Sequence, residues 1–130
     1  MDIVIDASAI LAVIVGEPER DRIVDMTGGH TLVGPGSIPW EIGNAFSSML
    51  KQHRVGIDDV QQGISIFESI AIRYLAVDLQ NALSIAHSTN MYAYDAYFID
   101  CATRHAAPLL TLDRPLRRAA DKLGVHVLEV

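Results

Sequence analysis

Short apolar runs, each followed by a longer stretch of helical character, constrain this chain more than any other feature. Ile3-Val4-Ile5, Thr31-Leu32-Val33, Tyr74-Leu75-Ala76-Val77, Leu109-Leu110-Thr111-Leu112 and Val125–Val130 are strand-length, and turn or cap residues bound them. Helices are predicted between them. One runs from Ser8 to about Val15 and breaks at Gly16-Glu17-Pro18; another covers about Glu19 to Met26 and stops at Gly28-Gly29. Gly34-Pro35-Gly36 closes the second strand. Ser37 then caps a long helix to about His53, with Ile38, Ile42, Ala45, Phe46 and Met49 at helical spacing. Further helices are expected from Asp58 to about Ile72, with Asp58 and Gln61 resembling a capping box, and from an Asp78 cap through Ser88. Two more cover about Asp95 to His105 and Arg114 to Leu123, the last ending at Gly124. This alternation predicts an α/β fold, a three-layer α/β/α sandwich around a central, mostly parallel sheet. No repeat or linker interrupts it, so residues 1–130 read as a single domain.

Half of the residues are apolar, enough for one core without a disulfide or a structural metal. The single cysteine, Cys101, has no partner in the chain and reads as a buried thiol, which points to a reducing, cytoplasmic setting. No segment is long enough to span a bilayer, so no membrane partner is expected. The net charge of -6 argues against broad, charge-driven nucleic-acid binding. It leaves room for an acidic site whose metal reverses the local sign. Arg114, Arg117, Arg118 and Lys122 form the only basic cluster.

In a parallel sheet, ligands bind beyond the carboxyl ends of the strands, where strand order reverses. Asp6 and Asp113 each sit just past such an end, and if the first and fourth strands are neighbours both acids reach one crevice. Glu41 lies in the first turns of the long helix, with Asn44 one turn on. Asp95 shares a helix face with Phe98, Ile99 and Ala102, at i+3, i+4 and i+7, and so points inward. An unpaired inward carboxylate is costly, and four together repel one another unless some are protonated or a cation lies between them. Oxygen-only ligands favour Mg²⁺ or Mn²⁺ over Zn²⁺. Asp100 falls on the opposite helix face with Arg104 four residues on, and is expected to be an ordinary exposed ion pair.

These residues carry a family resemblance. Asp6-Ala7-Ser8 after the first strand, Glu41 in the long helix, Asp95 opening a later helix and Thr111-Leu112-Asp113 after the fourth strand resemble the PIN-domain pattern, in order and over nearly the whole chain. At this size the chain is most similar to the VapC toxins of toxin–antitoxin pairs. The resemblance implies a Mg²⁺- or Mn²⁺-dependent endoribonuclease with Asp6, Glu41, Asp95 and Asp113 as catalytic and metal-binding residues. It also implies Ser8 and Thr111 as hydroxyls beside them, an RNA substrate and a small antitoxin protein that inhibits the enzyme.

Each residue also has a plainer reading. Asp6, Asp95 and Asp113 could be helix caps, and Glu41 a solvated helix residue. Arg114, Arg117 and Arg118, with Lys122, could hold RNA phosphates or form a solvated helix face. Trp40, Tyr92, Tyr94 and Tyr97 could stack on bases, although core packing or a protein interface is the readier expectation. His30, His53, His87, His105 and His126 are scattered, with no ligand pair. A receiver-like phosphotransfer site lacks its acidic pair and late lysine, and a dehalogenase-like site lacks a second Asp at the place of Ser8. The non-enzymatic alternative is a catalytically inactive interaction module of the same fold. Trp40, Phe46 and Met49 on the long helix, with Ile64, Ile66, Phe67 and Ile70 on the next, read as more apolar surface than one core needs. That surface is expected to serve the antitoxin and a homodimer.

Overall fold

The computed structural model describes all 130 residues. In chain order the elements are β1 (Asp2–Ile5), α1 (Ala7–Val15), α2 (Arg20–Thr27), β2 (Thr31–Pro35), α3 (Ile38–Lys51), α4 (Ile57–Ser69), β3 (Ile72–Leu75), α5 (Leu79–Thr89), α6 (Ala93–Arg104), β4 (Leu109–Leu110) and α7 (Arg114–Lys122). The four strands form one all-parallel sheet in the order β3-β2-β1-β4, flanked by helices. Ile3, Val4 and Ile5 are all buried, as the central strand of a sheet covered on both faces requires. The partly exposed edge strand β3 shows the contrast. One continuous core joins β1 and β4 to Ile10 of α1, Ile38, Ile42 and Phe46 of α3, Phe98 and Ile99 of α6 and Leu116 of α7.

β1 pairs with β2 on one side and with β4 on the other, Val4 opposite Leu109 and Ile5 opposite Leu110. Chain order therefore reverses at the β1–β4 seam, and the crevice beyond its carboxyl end is where a parallel sheet exposes a site.

Several expectations need correction. Val125–Val130 is not a full strand. It lies beside β4 but makes one isolated bridge, Leu109 with Val127. Val125 and Val127 are buried, Leu128 and Val130 pack partly against the core, and the N–H groups of Leu109 and Leu128 donate to His126 O and Leu109 O. The third strand begins two residues earlier than expected and the fourth ends after Leu110. Ser37 makes no side-chain cap; its hydroxyl goes to Glu41. At the start of α4, Asp59 accepts from the Gly56 N–H, so the cap lies two residues earlier than the capping box expected of Asp58 and Gln61. The α3 and α4 face expected to await a partner is largely internal. Phe46 and Phe67 are buried, Met49, Ile64 and Ile70 pack against the core, and only Trp40 and Ile66 of that set are exposed.

Candidate active site

Asp6 follows β1 and caps α1 through a 3.1 Å hydrogen bond from the Ala9 N–H to its Oδ1. Asp113 caps α7 in the same way, its Oδ1 accepting from the Leu116 N–H at 3.0 Å. Capping and siting thus coexist in both acids: the cap fixes the rotamer, and the strand end sets where it points. Ser8 donates to Asp6 Oδ1 at 2.7 Å, and Thr111 donates to Asp6 Oδ2 at 2.6 Å. The two hydroxyls are themselves held. Ser8 Oγ accepts from the Leu112 N–H and Thr111 Oγ1 from the Asp113 N–H. This net stitches the segment after β1 to the segment after β4.

Asp6 is 4% exposed, and its burial outweighs these hydrogen bonds, raising its carboxyl from 3.8 to about 6, with the Asp113 charge adding to the rise. Glu41 sits in the first turn of α3, half-buried, its Oε2 accepting from Ser37 Oγ at 2.8 Å. Burial, then the charges of Asp6 and Asp95, raise it from 4.5 to about 7. Asp95 lies in the first turn of α6, with Phe98, Ile99 and Ala102 of its face buried beneath it. Burial and the Asp113 charge raise it as well. The charges that raise Asp6, Glu41 and Asp95 come from within this set and from Asp113, which brings the four acids into one neighbourhood beyond the β1–β4 seam.

No three carboxylate, imidazole or thiol groups stand close enough to form a ready-made metal cage. Mg²⁺ does not require one. It keeps several waters and takes one or two carboxylates, together with substrate phosphates. The all-oxygen donor set fits that ion, with Asp6, Glu41, Asp95 and Asp113 as the residues able to hold it.

The neighbouring residues divide. Asn44 is exposed and makes no hydrogen bond to the acids; it lines a hollow of about 590 Å³ with Ser8, Leu11, Trp40, Glu41 and Tyr94. Asp95 itself lines a separate cleft of about 700 Å³, together with Thr89, Asn90, Arg118, Asp121 and Lys122. Arg117 does not join it, because its guanidinium is 2.6 Å from Glu129. Arg114 is exposed. Cys101 is buried, which pushes its thiol up to about 11 and removes it as a nucleophile. A further depression of about 620 Å³, near Met1 and Pro108, lies at the amino ends of the strands and contains none of the acids.

Asp100 is the clearest misreading. It is fully buried, not exposed. Its Oδ2 accepts from the Asp78 N–H at 3.0 Å, its Oδ1 from the Asn81 amide at 2.7 Å, and Arg104 Nε lies 3.1 Å from Oδ2. Arg104 also donates to Ala76 O. Asp100 therefore ties α6 to the start of α5. Of the two expectations for Trp40, Tyr92 and Tyr94, core packing is excluded, since they are 75%, 85% and 55% exposed, and a protein interface is not. The signal that could have marked two of them is adjacency, since Trp40 precedes Glu41 and Tyr94 precedes Asp95.

The fold is shared with solved structures. PAE2754 from Pyrobaculum aerophilum superposes with a TM-score of 0.72 at 21% identity, over 92% of this chain and 79% of that one. VapBC2 from Rickettsia felis, bound to a DNA fragment from its promoter, gives 0.68 at 14% identity, over 99% and 98%. A toxin–antitoxin complex from Klebsiella pneumoniae gives 0.58 at 14%, over 85% and 86%. No curated protein matches the sequence significantly. The sequence pattern of the PIN domain matches residues 3–122, a span that holds all of the sheet but Asp2 and includes all four acids, and the chain belongs to that family.

Proposed function

We propose that the chain is a divalent-metal-dependent endoribonuclease and the toxin of a type II toxin–antitoxin pair. The observation that carries this reading is the mutual approach of Asp6, Glu41, Asp95 and Asp113 at the strand-order reversal, with three of the four raised by burial and by one another's charge. Such a cluster is costly without a cation. Mg²⁺ or Mn²⁺, when bound, neutralises that charge, activates water and stabilises the leaving oxygen of a phosphodiester. The chain's part is orientation. Ser8, Ala9 and Thr111 hold both oxygens of Asp6, Ser37 holds Glu41, and the Leu116 N–H holds Asp113. Arg118 and Lys122 line the adjoining cleft and would receive neighbouring phosphates of the strand.

The toxin role is supported by the fold shared with VapBC2 and with the Klebsiella complex. The partner is then a small antitoxin whose basic side chain enters the acidic crevice. Homodimerisation and a cytoplasmic setting belong to the same reading; no helix is long and apolar enough to cross a membrane. The test is cleavage of RNA by purified protein with Mg²⁺ or Mn²⁺, abolished by EDTA and reduced by orders of magnitude in Asp6→Asn and Asp95→Asn. Undiminished cleavage by folded Asp6→Asn would remove this site. In cells, the native protein should arrest growth, Asp95→Asn should not, and the protein encoded beside it should relieve the arrest.

A further inference from the structure

We propose that the hollow between Trp40 and Tyr94 is a nucleobase subsite, which takes one unpaired base of a single-stranded RNA beside the bond that is cut; the inference rests on the nuclease reading above. Both aromatics line the same hollow, and both are more than half exposed. Each directly precedes a site acid in the first turns of its helix, Trp40 before Glu41 in α3 and Tyr94 before Asp95 in α6. The helices that fix the acids therefore fix the roots of the rings. Tyr94 is also braced, because the half-buried Tyr97 meets it edge-to-face with centroids 5.7 Å apart. A ring held in this way costs little ordering entropy when a second ring stacks on it.

The rest of the lining suits a base better than a phosphate or a protein helix. The lining carries no cation to hold a phosphate but accommodates a neutral ring, and the exposed Asn44 amide offers a donor and an acceptor to a base edge. The cations available to phosphates, Arg118 and Lys122, line a separate cleft with Asp95 and Asp121, whereas the hollow has no cation at all. A docked helix would need an apolar track along α3 and α4, but Phe46 and Phe67, which could have supplied it, are buried. Ser8 lines the hollow and also donates to Asp6, so hollow and acidic crevice share a wall. A base in a duplex is stacked on both faces and cannot enter, which makes the subsite selective for unpaired segments.

Trp40 is the only tryptophan and reports directly on this hollow. The test titrates the non-cleaving Asp6→Asn/Asp95→Asn protein with a short oligoribonucleotide, its abasic counterpart and its duplex, following Trp40 emission. The single strand is expected to quench Trp40 and to bind about tenfold more tightly than the abasic strand, with the duplex inert. Tyr94→Ala should lose about that tenfold and Tyr94→Phe should restore it. Equal binding of the abasic strand, equal quenching by the duplex, an unchanged affinity in Tyr94→Ala, or quenching by an inhibitory protein but by no RNA would each overturn the subsite. Cleavage by the native protein is read separately. Base-dependent quenching without cleavage keeps the subsite and removes the nuclease reading; cleavage with an unchanged KM in Tyr94→Ala does the reverse.

Discussion

Thr111 donates a 2.6 Å hydrogen bond to Oδ2 of Asp6, joining residues 105 positions apart. The bond closes the β1–β4 seam beyond its last paired residues, Ile5 and Leu110. The same hydroxyl oxygen accepts from the Asp113 N–H, so one side chain aligns two acids. Thr111→Val keeps the shape, removes the hydroxyl and leaves a buried carboxylate oxygen short of a donor. It is expected to cost about 2 kcal/mol of stability and to lower RNA cleavage, with Thr111→Ser restoring most of both. Denaturant melts and a cleavage assay check this, and a Thr111→Val protein with native stability and native activity would contradict it.

Asp6 and Glu41 take up protons on folding. Their carboxyls rise from 3.8 to about 6 and from 4.5 to about 7. Between the ordinary and the raised values the folded chain holds more protons than the unfolded chain, so stability falls as pH rises through that window. Metal-free protein is expected to melt higher near the lower end of the window than above it, and Asp6→Asn should flatten the slope. Adding Mn²⁺ above the window should raise the melting temperature of the native protein much more than that of Asp6→Asn/Asp95→Asn. Thermal melts with and without EDTA decide the matter; a metal shift of equal size in both proteins would place the ion elsewhere.

Asp100→Ala strands the Asp78 N–H, the Asn81 amide and one face of the Arg104 guanidinium. A loss of about 3 kcal/mol is expected, since a buried group stripped of its partner costs more than the pair is worth. Chemical denaturation measures it. A change within the noise would mean that water replaces the carboxylate.

Gly63 of α4 faces Phe46 of α3, and an added Cβ would stand 2.7 Å from Phe46 Cζ and 3.3 Å from Ile14 Cγ2. Gly63→Ala is therefore expected to destabilise by about 1–3 kcal/mol even though alanine favours helix, because the overpacking outweighs propensity. A stabilised Gly63→Ala would show that α4 shifts freely.

Arg118 and Lys122 line the cleft beside Asp95, whereas Arg117 is held by Glu129. Replacing Arg118 and Lys122 together by alanine should weaken RNA binding across sequences and reduce the salt slope by about 1.4, roughly 0.7 per phosphate contact on a single strand. Arg117→Ala should leave the slope as it is. Binding measured over a range of salt concentrations distinguishes these outcomes, and an equal fall in slope for Arg117→Ala would point to a different phosphate track.

The acids at strand ends were legible because position and residue type agree. Asp6 and Asp113 each follow an apolar run, and Asp95 shares its helix face with buried Phe98, Ile99 and Ala102. Asp100 was not legible. Its i,i+4 arginine imitates a surface pair, and the partners that explain its burial, Asp78 and Asn81, stand in another element. The exposure of Trp40 and Tyr94 was not legible, because large apolar side chains carry no mark of whether they face the core or the surface. The final strand faded for a related reason: Val125 and Val127 alternate as a strand would, but alternation records burial, not the number of ladder bonds.

The seam between β1 and β4 also sets a clock. A ribosome delivers the first acid almost at once and the hydroxyl that aligns it only after another 105 residues. Parallel pairing at such separation is slow to form, because the intervening loop must be closed before any contact rewards it. During synthesis the early strands therefore emerge with their acids unassembled. The four acids come into register only when β4 and α7, the last elements of the polypeptide, dock against β1.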